Sequence, residues 1–172
     1  MLASKKFILP PDFDWQLWVD RWDRMQERYL VRREERFMII ANLIQATQPA
    51  RCRILDLGCG PGSTMYHLLA SLPETQVIGV ELDPAILALA EPRLKRFGHR
   101  ATLIQSDLRN PDWYKDIPLP VNAVVSATAL HWLNAAELAN LYHQLAQLLT
   151  SGGIFLNADH VPSSIPAVQK YW

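Results

Sequence analysis

The chain has 172 residues, with 17 basic and 17 acidic side chains and therefore no net charge. This length suits one domain with a buried core, and the balanced charge predicts no nucleic-acid partner. No apolar run approaches the roughly 20 residues of a membrane span, and the first residues are too weakly apolar for a signal peptide. We predict a cytoplasmic protein with no membrane partner.

Two cysteines, Cys52 and Cys59, flank a single apolar run. They cannot easily face each other across one strand, so we predict reduced thiols rather than a disulfide. The spacing of histidine, cysteine and acidic residues matches no metal site, and we predict no bound metal.

Residues 12–46 show helical periodicity and predict two consecutive helices or one kinked helix. One face carries large apolar side chains at helical spacing: Trp15, Trp18, Trp22, Met25 and Tyr29. Packing of this stripe against the edge of the core is the favoured interpretation, and a lid over a ligand pocket is the alternative. Arg21, Arg24 and Arg28 lie on the polar flank, where we favour a solvated face over an anion-binding role.

Five apolar runs follow, and most are continuous, as in strands that are covered on both faces of a parallel sheet. They span residues 52–57, 75–82, 101–106, 121–127 and 153–158. Helical patterns at 63–72, 83–97 and 134–153 lie between them. This alternation predicts an α/β fold with a doubly wound, mostly parallel sheet and right-handed crossovers.

Local signals mark the ends of two of these helices. Asp83 is a predicted N-cap with Pro84 at the first helical position, and Pro92 is predicted to bend or split the helix. Asn134 is the predicted N-cap of the last helix, which a Gly-Gly pair at 152–153 is predicted to end.

The sequence DLGCGPG, residues 56–62, places three glycines directly after the first predicted strand. Their spacing departs from the G-x-G-x-x-G pattern of dinucleotide sites, and no Lys-Ser/Thr pair follows as in a P-loop. Asp56 beside the loop disfavours a pyrophosphate and suits a ligand with positive charge. Cys59 is predicted to pack under the ligand rather than to act as a nucleophile.

Acidic residues also end the second and third predicted strands. Glu81 lies 23 positions after Gly58, where an acid typically accepts hydrogen bonds from ribose hydroxyls, and Asp107 ends the third strand. With Asp56, three acids converge at one edge of the sheet. They repel one another unless the ligand brings hydrogen-bond donors or positive charge.

Five segments, ILDLGCGPGS, VIGVELD, QSDL, VNAVVSATALHWL and LLTSGGIFL, occur in this order across about residues 50–158. Together they resemble the motifs of class I S-adenosylmethionine-dependent methyltransferases, whose fold is Rossmann-like. The resemblance implies S-adenosylmethionine as the cofactor. Its methionyl part would be held by the loop and the acid before it, which comprise Asp56, Gly58, Cys59, Gly60 and Gly62.

The same resemblance implies contacts for the rest of the cofactor. Glu81 would bind the ribose, and Asp107 would accept from the adenine amine. Leu82 and Leu108 would flank the adenine ring. Two residues after the fourth strand would line the region near the transferable methyl, namely Ser126 and Ala127.

The stretch ATALHWL, residues 127–133, resembles small-molecule methyltransferases of the trans-aconitate and malonyl-carrier kind, which methylate free carboxylates. This implies methyl transfer to a small molecule by in-line displacement, with a carboxylate oxygen as one candidate acceptor. A carboxylate is already ionised and needs no base. His131 is the candidate catalytic base, and a structural or pocket-lining role is the favoured alternative.

We predict a helical extension or lid at 1–48, a cofactor-binding core at 49–160 and a tail at 161–172. The family continues past the fifth strand with a helix and a hairpin, and residues 159–172 of this sequence show no such pattern. A fragment of a longer protein is the favoured interpretation. The alternatives are a partner or self-association at the exposed fifth strand, or a degenerate methyltransferase.

The rival functions are a non-catalytic or partner-completed cofactor-binding module and a nicotinamide-dependent oxidoreductase, for which the glycine spacing is wrong.

Overall fold

The computed structural model describes residues 7–159 and 165–169, so most of the predicted tail at 161–172 lies outside the described residues. The helices are α1 (Trp15–Tyr29), α2 (Arg33–Thr47), α3 (Ser63–Ser71), α4 (Pro84–Leu94), α5 (Ala135–Leu148) and α6 (Pro166–Gln169). The strands are β1 (Arg53–Leu57), β2 (Gln76–Glu81), β3 (Ala101–Gln105), β4 (Val121–Ala127) and β5 (Leu149–Ala158). Short 3-10 helices cover Lys95–Arg100 and Leu130–Trp132.

The five strands form one sheet in the order β3-β2-β1-β4-β5, and each pair of neighbours is parallel. The predicted α/β fold with a doubly wound, parallel sheet is therefore confirmed. β1 lies at the centre, and the chain runs outward from it first to one side and then to the other. Ligands of open α/β sheets bind at the carboxyl ends of the strands where this reversal occurs.

Helices cover both faces of the sheet, as the continuous apolar strands predict. Successive side chains of β1 point to opposite faces: Ile54 packs with α2, α3 and α4, and Leu55 packs with α5. The β3–β4 connection consists of turns rather than a helix. Trp113, only 2% exposed, fills that part of the core, and its indole Nε1 donates to Oε1 of Gln144 at 2.8 Å.

The predicted helix starts are confirmed, but one predicted helix end is wrong. Asp83 and Asn134 cap their helices through side-chain oxygens. α5 ends at Leu148, and β5 begins at Leu149 rather than at 153. Gly152, with φ +77°, belongs to an irregularity at which β5 shifts register against β4. The last helix of the core is therefore followed directly by a strand.

In α4 the helix runs through Pro92 and ends two residues later, where the 3-10 helix begins.

The prediction that the tryptophan stripe of α1 packs into the core is wrong. Val19 is the buried residue of α1, whereas Trp18 is 47% and Tyr29 74% exposed. Part of the stripe instead lines a cavity at the carboxyl ends of the strands. Helical periodicity reveals that one face is apolar, but it does not reveal what that face covers.

Within the described ranges, no helix combines the length and the apolar character that a membrane crossing requires. The same residues contain no cluster of histidine, cysteine and acidic side chains suited to a metal ion.

Candidate active site

A cavity of about 850 Å³ lies at the carboxyl ends of the strands, under α1 and α2. Small-molecule sites typically enclose about 300–1,000 Å³. The cavity brings together most of the residues that the sequence predicts, namely Gly58, Cys59, Gly60, Glu81, Leu82, Asp107, Leu108, Ala127 and His131. Of the predicted site residues, all of which are described, Asp56, Gly62 and Ser126 are not part of its wall.

Asp56 is a buried carboxyl without a partner. It is 1% exposed, and neither carboxyl oxygen has a hydrogen bond from any residue that the structure describes. Burial raises the pKa of Asp56 well above its ordinary value, and the negative charge of Glu81 raises it further. A buried polar group without a partner is unfavourable. A ligand that brings a hydrogen-bond donor or a positive charge close to Asp56 would therefore be stabilised there.

The loop after β1 begins with a glycine that no other residue can replace without strain. Gly58 has φ +65°, and a Cβ on it would lie 2.4 Å from the Cβ of Ala129. Its N–H and that of Cys59 donate to the carbonyl of Val80 at 2.8 and 3.0 Å. The loop is thus tied to β2 and pressed against the loop that follows β4.

Gly62 and Ser126 support the cavity wall from behind. A Cβ on Gly62 would come within 2.9 Å of Cδ1 of Leu94, so this glycine lets α3 pack closely on α4. Ser126 is fully buried, and its hydroxyl is satisfied by donating to the carbonyl of Leu57 at 2.9 Å, which joins β4 to β1. Their placement explains why neither residue reaches the cavity.

Glu81 joins the end of β2 to the glycine loop. Its Oε2 accepts from the N–H of Gly60 at 3.0 Å, and its Oε1 accepts from the N–H groups of Leu82 and Asp83 at 2.7 and 3.0 Å. Each carboxylate oxygen has two acceptor sites, so the two backbone donors fill Oε1, and Oε2 retains one site for a hydroxyl group of a ligand.

Asp107 forms a bidentate ion pair with Arg109, a residue that the sequence did not single out. The guanidinium donates to Oδ1 at 2.9 Å and to Oδ2 at 2.7 Å. These hydrogen bonds lower the pKa of Asp107 below its ordinary value. Asp107 is therefore a carboxylate, and its acceptor sites are shared with Arg109 at the cavity wall.

Cys59 has the environment of a packing residue. It is 6% exposed, and burial raises the pKa of its thiol well above the ordinary value, with further contributions from the charges of Asp56 and Glu81. Since the thiolate is the nucleophilic form, Cys59 is poorly suited to nucleophilic catalysis. Both cysteines are free, as predicted.

His131 lines the cavity and meets a carboxylate that sequence reasoning missed. Its Nδ1 lies 2.8 Å from Oδ1 of Asp159, and its backbone N–H donates to Oδ2 of the same residue at 3.0 Å. The side chain of Asp159 is 3% exposed and that of His131 is 39% exposed. Asp159 follows β5 at a distance of 28 residues from His131, and no local motif signals the pair.

Three arginines lie on the cavity wall, and two of them are neutralised. Arg33 pairs with Asp23 at 3.0 Å, and Arg109 pairs with Asp107. The side chain of Arg36 has no hydrogen bond or ion pair with any residue in the described ranges. Arg36 is thus an uncompensated cation facing the cavity.

The arginines of α1 occupy a different surface. Arg21, Arg24 and Arg28, which the structure describes, are exposed and do not line the cavity. Arg21 lies over the ring of Trp18, 5.2 Å from its centre. This placement agrees with the favoured interpretation of a solvated face.

Asp23 anchors α1 over the cavity. Its carboxylate accepts from Arg93 of α4 at 2.9 Å, from Arg33 of α2 at 3.0 Å and from the hydroxyl of Ser63 of α3 at 3.0 Å. Burial raises the pKa of Asp23, but the charges of Arg93 and Arg33 and their hydrogen bonds outweigh it, so the pKa lies below its ordinary value.

We expect Asp23→Asn to lower the free energy of unfolding at pH 7 by about 2 kcal/mol, because two largely buried arginines lose their counter-charge. A carboxyl with a lowered folded-state pKa stabilises the fold above its unfolded pKa, and this contribution is lost as the pH falls through the folded value. The difference from wild type should therefore shrink below about pH 4. Urea denaturation at several pH values measures it. Asp20→Asn, on the exposed side of α1, is the control, and an effect of Asp23→Asn that is constant with pH contradicts the charge argument.

Residues 54–153, more than half of the chain, match the family described as "Methyltransferase domain". The chain is 35% identical to a trans-aconitate 2-methyltransferase from Methylobacterium nodulans, over 77% of this chain and 47% of that protein. It is also 45% identical to a ribosomal RNA small subunit methyltransferase B from Escherichia coli, over 61% of this chain and 29% of that protein. The chain spans less than half the length of each of these two curated relatives.

Among solved structures, the chain resembles an S-adenosylmethionine-bound amino pentose methyltransferase from Micromonospora echinaspora. The TM-score is 0.67 at 27% identity, over 90% of this chain and 60% of that one. The glycine loop and the three acids, Asp56, Glu81 and Asp107, all lie within residues 54–153, the part that matches the family. The chain therefore belongs to the class I S-adenosylmethionine-dependent methyltransferases.

Proposed function

We propose that the protein binds S-adenosylmethionine in this cavity and transfers its methyl group to a small molecule. The observation that carries the proposal is the unpartnered, buried carboxyl of Asp56 beside a glycine loop that Glu81 holds in place. When bound, this cofactor supplies a methyl group on a positively charged sulfur. Asp56 and Glu81 are the chain's complement to such a cation, since both place negative charge at the same end of the sheet.

The proposed cofactor contacts follow the placement of the residues. Gly58, Cys59 and Gly60 would contact the methionyl part, and Glu81 would accept from the ribose hydroxyls. Asp107 would accept from the adenine amine between Leu82 and Leu108, and Ala127 would lie near the methyl group. Gly62 and Ser126 would contribute by holding the loop and β4 in position, as their packing indicates.

We further propose that the substrate carries a carboxylate, which Arg36 binds. Two observations support this: the similarity to a trans-aconitate 2-methyltransferase, and the uncompensated charge of Arg36 on the cavity wall. If the carboxylate oxygen is itself the acceptor, the chain needs only to orient it in line and to exclude water. Trp22 and Met25 of α1 line the cavity and are suited to the second task, in the manner of a lid.

Calorimetry with S-adenosylhomocysteine tests the cofactor site, and methyl transfer to trans-aconitate, citrate and tricarballylate tests the substrate class. We expect Arg36→Gln to raise KM at least about tenfold for whichever of these acids is methylated, since a charge-assisted contact is lost, and to leave the affinity for S-adenosylhomocysteine unchanged. Arg28→Gln, outside the cavity, is the matched control. Cofactor binding without turnover of any acid would favour a non-catalytic cofactor-binding module.

The helical extension at 1–48 and the core at 49–160 are proposed as a lid and a cofactor-binding unit. β5 is an edge strand among the described residues, and an exposed edge favours pairing with another strand, including that of a second copy. A cytoplasmic location is supported by two free, buried thiols.

A further inference from the structure

The contact between His131 and Asp159 has a geometry that orients a histidine ring and selects its tautomer. The side chain of Asp159 is almost fully buried. Its Oδ2 accepts from the backbone N–H of His131, and its Oδ1 lies within hydrogen-bond distance of Nδ1 of His131. A carboxylate can only accept, so Nδ1 must carry the proton. Nε2 is then an acceptor in the neutral ring, and it makes no hydrogen bond with the residues that the structure describes.

The fold places this ring beside the glycine loop. His131 follows Ala129, whose Cβ lies against Gly58. Between β4 and this segment, Thr128 adopts φ +55°, which is strained for a β-branched residue. Its N–H donates to the carbonyl of Ala158 at 3.1 Å, which holds the ends of β4 and β5 together. The strained turn therefore brings His131 and Asp159 to the edge at which ligands of such sheets bind.

An acceptor-only nitrogen on the cavity wall is unsuited to a carboxylate acceptor, which brings no proton and repels a lone pair. It is suited to a hydroxyl or an amine, which must lose a proton when it is methylated. The carboxylate of the substrate then binds Arg36 and anchors the molecule, while a second group of the same molecule receives the methyl.

We propose that His131 is the general base of the reaction, that Asp159 is its positioning residue, and that the methyl acceptor is a hydroxyl or amine on a small carboxylic acid. This inference rests on the proposed function and names its acceptor. A lone pair of the acceptor oxygen or nitrogen forms the bond to the methyl carbon, and the carbon–sulfur bond breaks with its electron pair left on sulfur. The acceptor's proton passes to Nε2, and the imidazolium that results is stabilised by Asp159 before it returns the proton to water.

Nitrogen-15 NMR of the histidines in the 172-residue chain tests the pair without any substrate. We expect the neutral ring of His131 to carry its proton on Nδ1, and Asp159→Asn to change this tautomer balance. His99, exposed in the 3-10 helix after α4 and without a ring hydrogen bond to the described residues, provides the internal reference for an unconstrained ring. A ring that is protonated on Nε2 in the wild-type chain overturns the proposal.

Kinetics on matched acids tests the acceptor. Succinate, malate and aspartate share one carbon skeleton and differ in a hydrogen, hydroxyl or amine, as do glutarate, 2-hydroxyglutarate and glutamate. We expect methylated hydroxyl or amine products, a fall in kcat of about 10²- to 10⁴-fold for His131→Gln, and a smaller fall for Asp159→Asn with little change in KM. His143→Gln should behave as wild type.

The outcomes separate the two proposals. Methyl esters formed equally from all members of a set, with kcat unaffected by His131→Gln, overturn the base and leave the proposed methyl transfer standing. Failure to bind S-adenosylhomocysteine overturns the proposed function, whatever the tautomer of His131. A loss of cofactor affinity in Asp159→Asn would assign Asp159 to structural support and overturn its positioning role.

Discussion

We expect replacement of Glu81 with alanine to weaken the binding of S-adenosylhomocysteine by about 10³-fold, because two kinds of hydrogen bond are lost together. Within the protein, the carboxylate accepts hydrogen bonds from the N–H groups of Gly60, Leu82 and Asp83. It is also the group proposed to accept from the ribose hydroxyls. Isothermal titration calorimetry on wild type and variant measures the change.

Two further variants identify the cause of this loss. Glu81→Gln keeps acceptor capacity without the charge and is expected to bind with intermediate affinity. Glu74→Ala removes an exposed acid paired with Arg51 before β2 and should leave the affinity unchanged. A loss of less than tenfold in Glu81→Ala would count against the ribose contact.

Replacing Asp56 with asparagine should change stability and cofactor affinity in opposite directions. Burial raises the pKa of Asp56, so its ionisation costs stability as the pH rises through the folded-state value. The variant has no charge to bury, and we expect its free energy of unfolding to exceed that of wild type by about 1–2 kcal/mol at pH 8. The advantage should disappear below the unfolded pKa of aspartate, at about pH 4.

The same substitution removes the negative charge proposed to stabilise the cationic part of the cofactor from behind the cavity wall. We expect S-adenosylhomocysteine, which keeps its ammonium group, to bind about 10- to 100-fold more weakly to Asp56→Asn. Denaturation with and without this ligand measures both effects in one experiment. Asp112→Asn, in an exposed pair with Lys115, is the control. A variant that is less stable than wild type at pH 8 would show that Asp56 has a partner in solution.

Strands, helix starts and the glycine loop were predictable because their causes are local. Asp83 and Asn134 cap helices through N–H groups two or three residues away. Gly58 has a positive φ within its own loop, and the spacing of Gly58 and Glu81 follows from one strand–helix–strand unit. The end of α5 was mispredicted because the irregular pairing of β5 with β4, not a helix-ending glycine motif, decides where Gly152 and Gly153 lie.

The role of α1 depended on the tertiary structure. Its apolar periodicity is visible in the sequence, but whether Trp22 and Tyr29 face a core or a cavity depends on the contacts of Asp23 with α2, α3 and α4. Arg33 and Arg36 lie on the same helix, and only the position of Asp23 shows that the first is neutralised and the second is not.

The amino-acid sequence alone determined the methyltransferase fold and the acids and glycines that surround the proposed cofactor. It did so because short-range hydrogen bonds and apolar periodicity leave a pattern within each strand and loop. Only the tertiary structure decided which cation is free and which carboxylate meets His131. Asp159 lies 28 residues from His131, directly after β5, and a contact of this kind exists only because the parallel pairing of β4 and β5 brings their ends together.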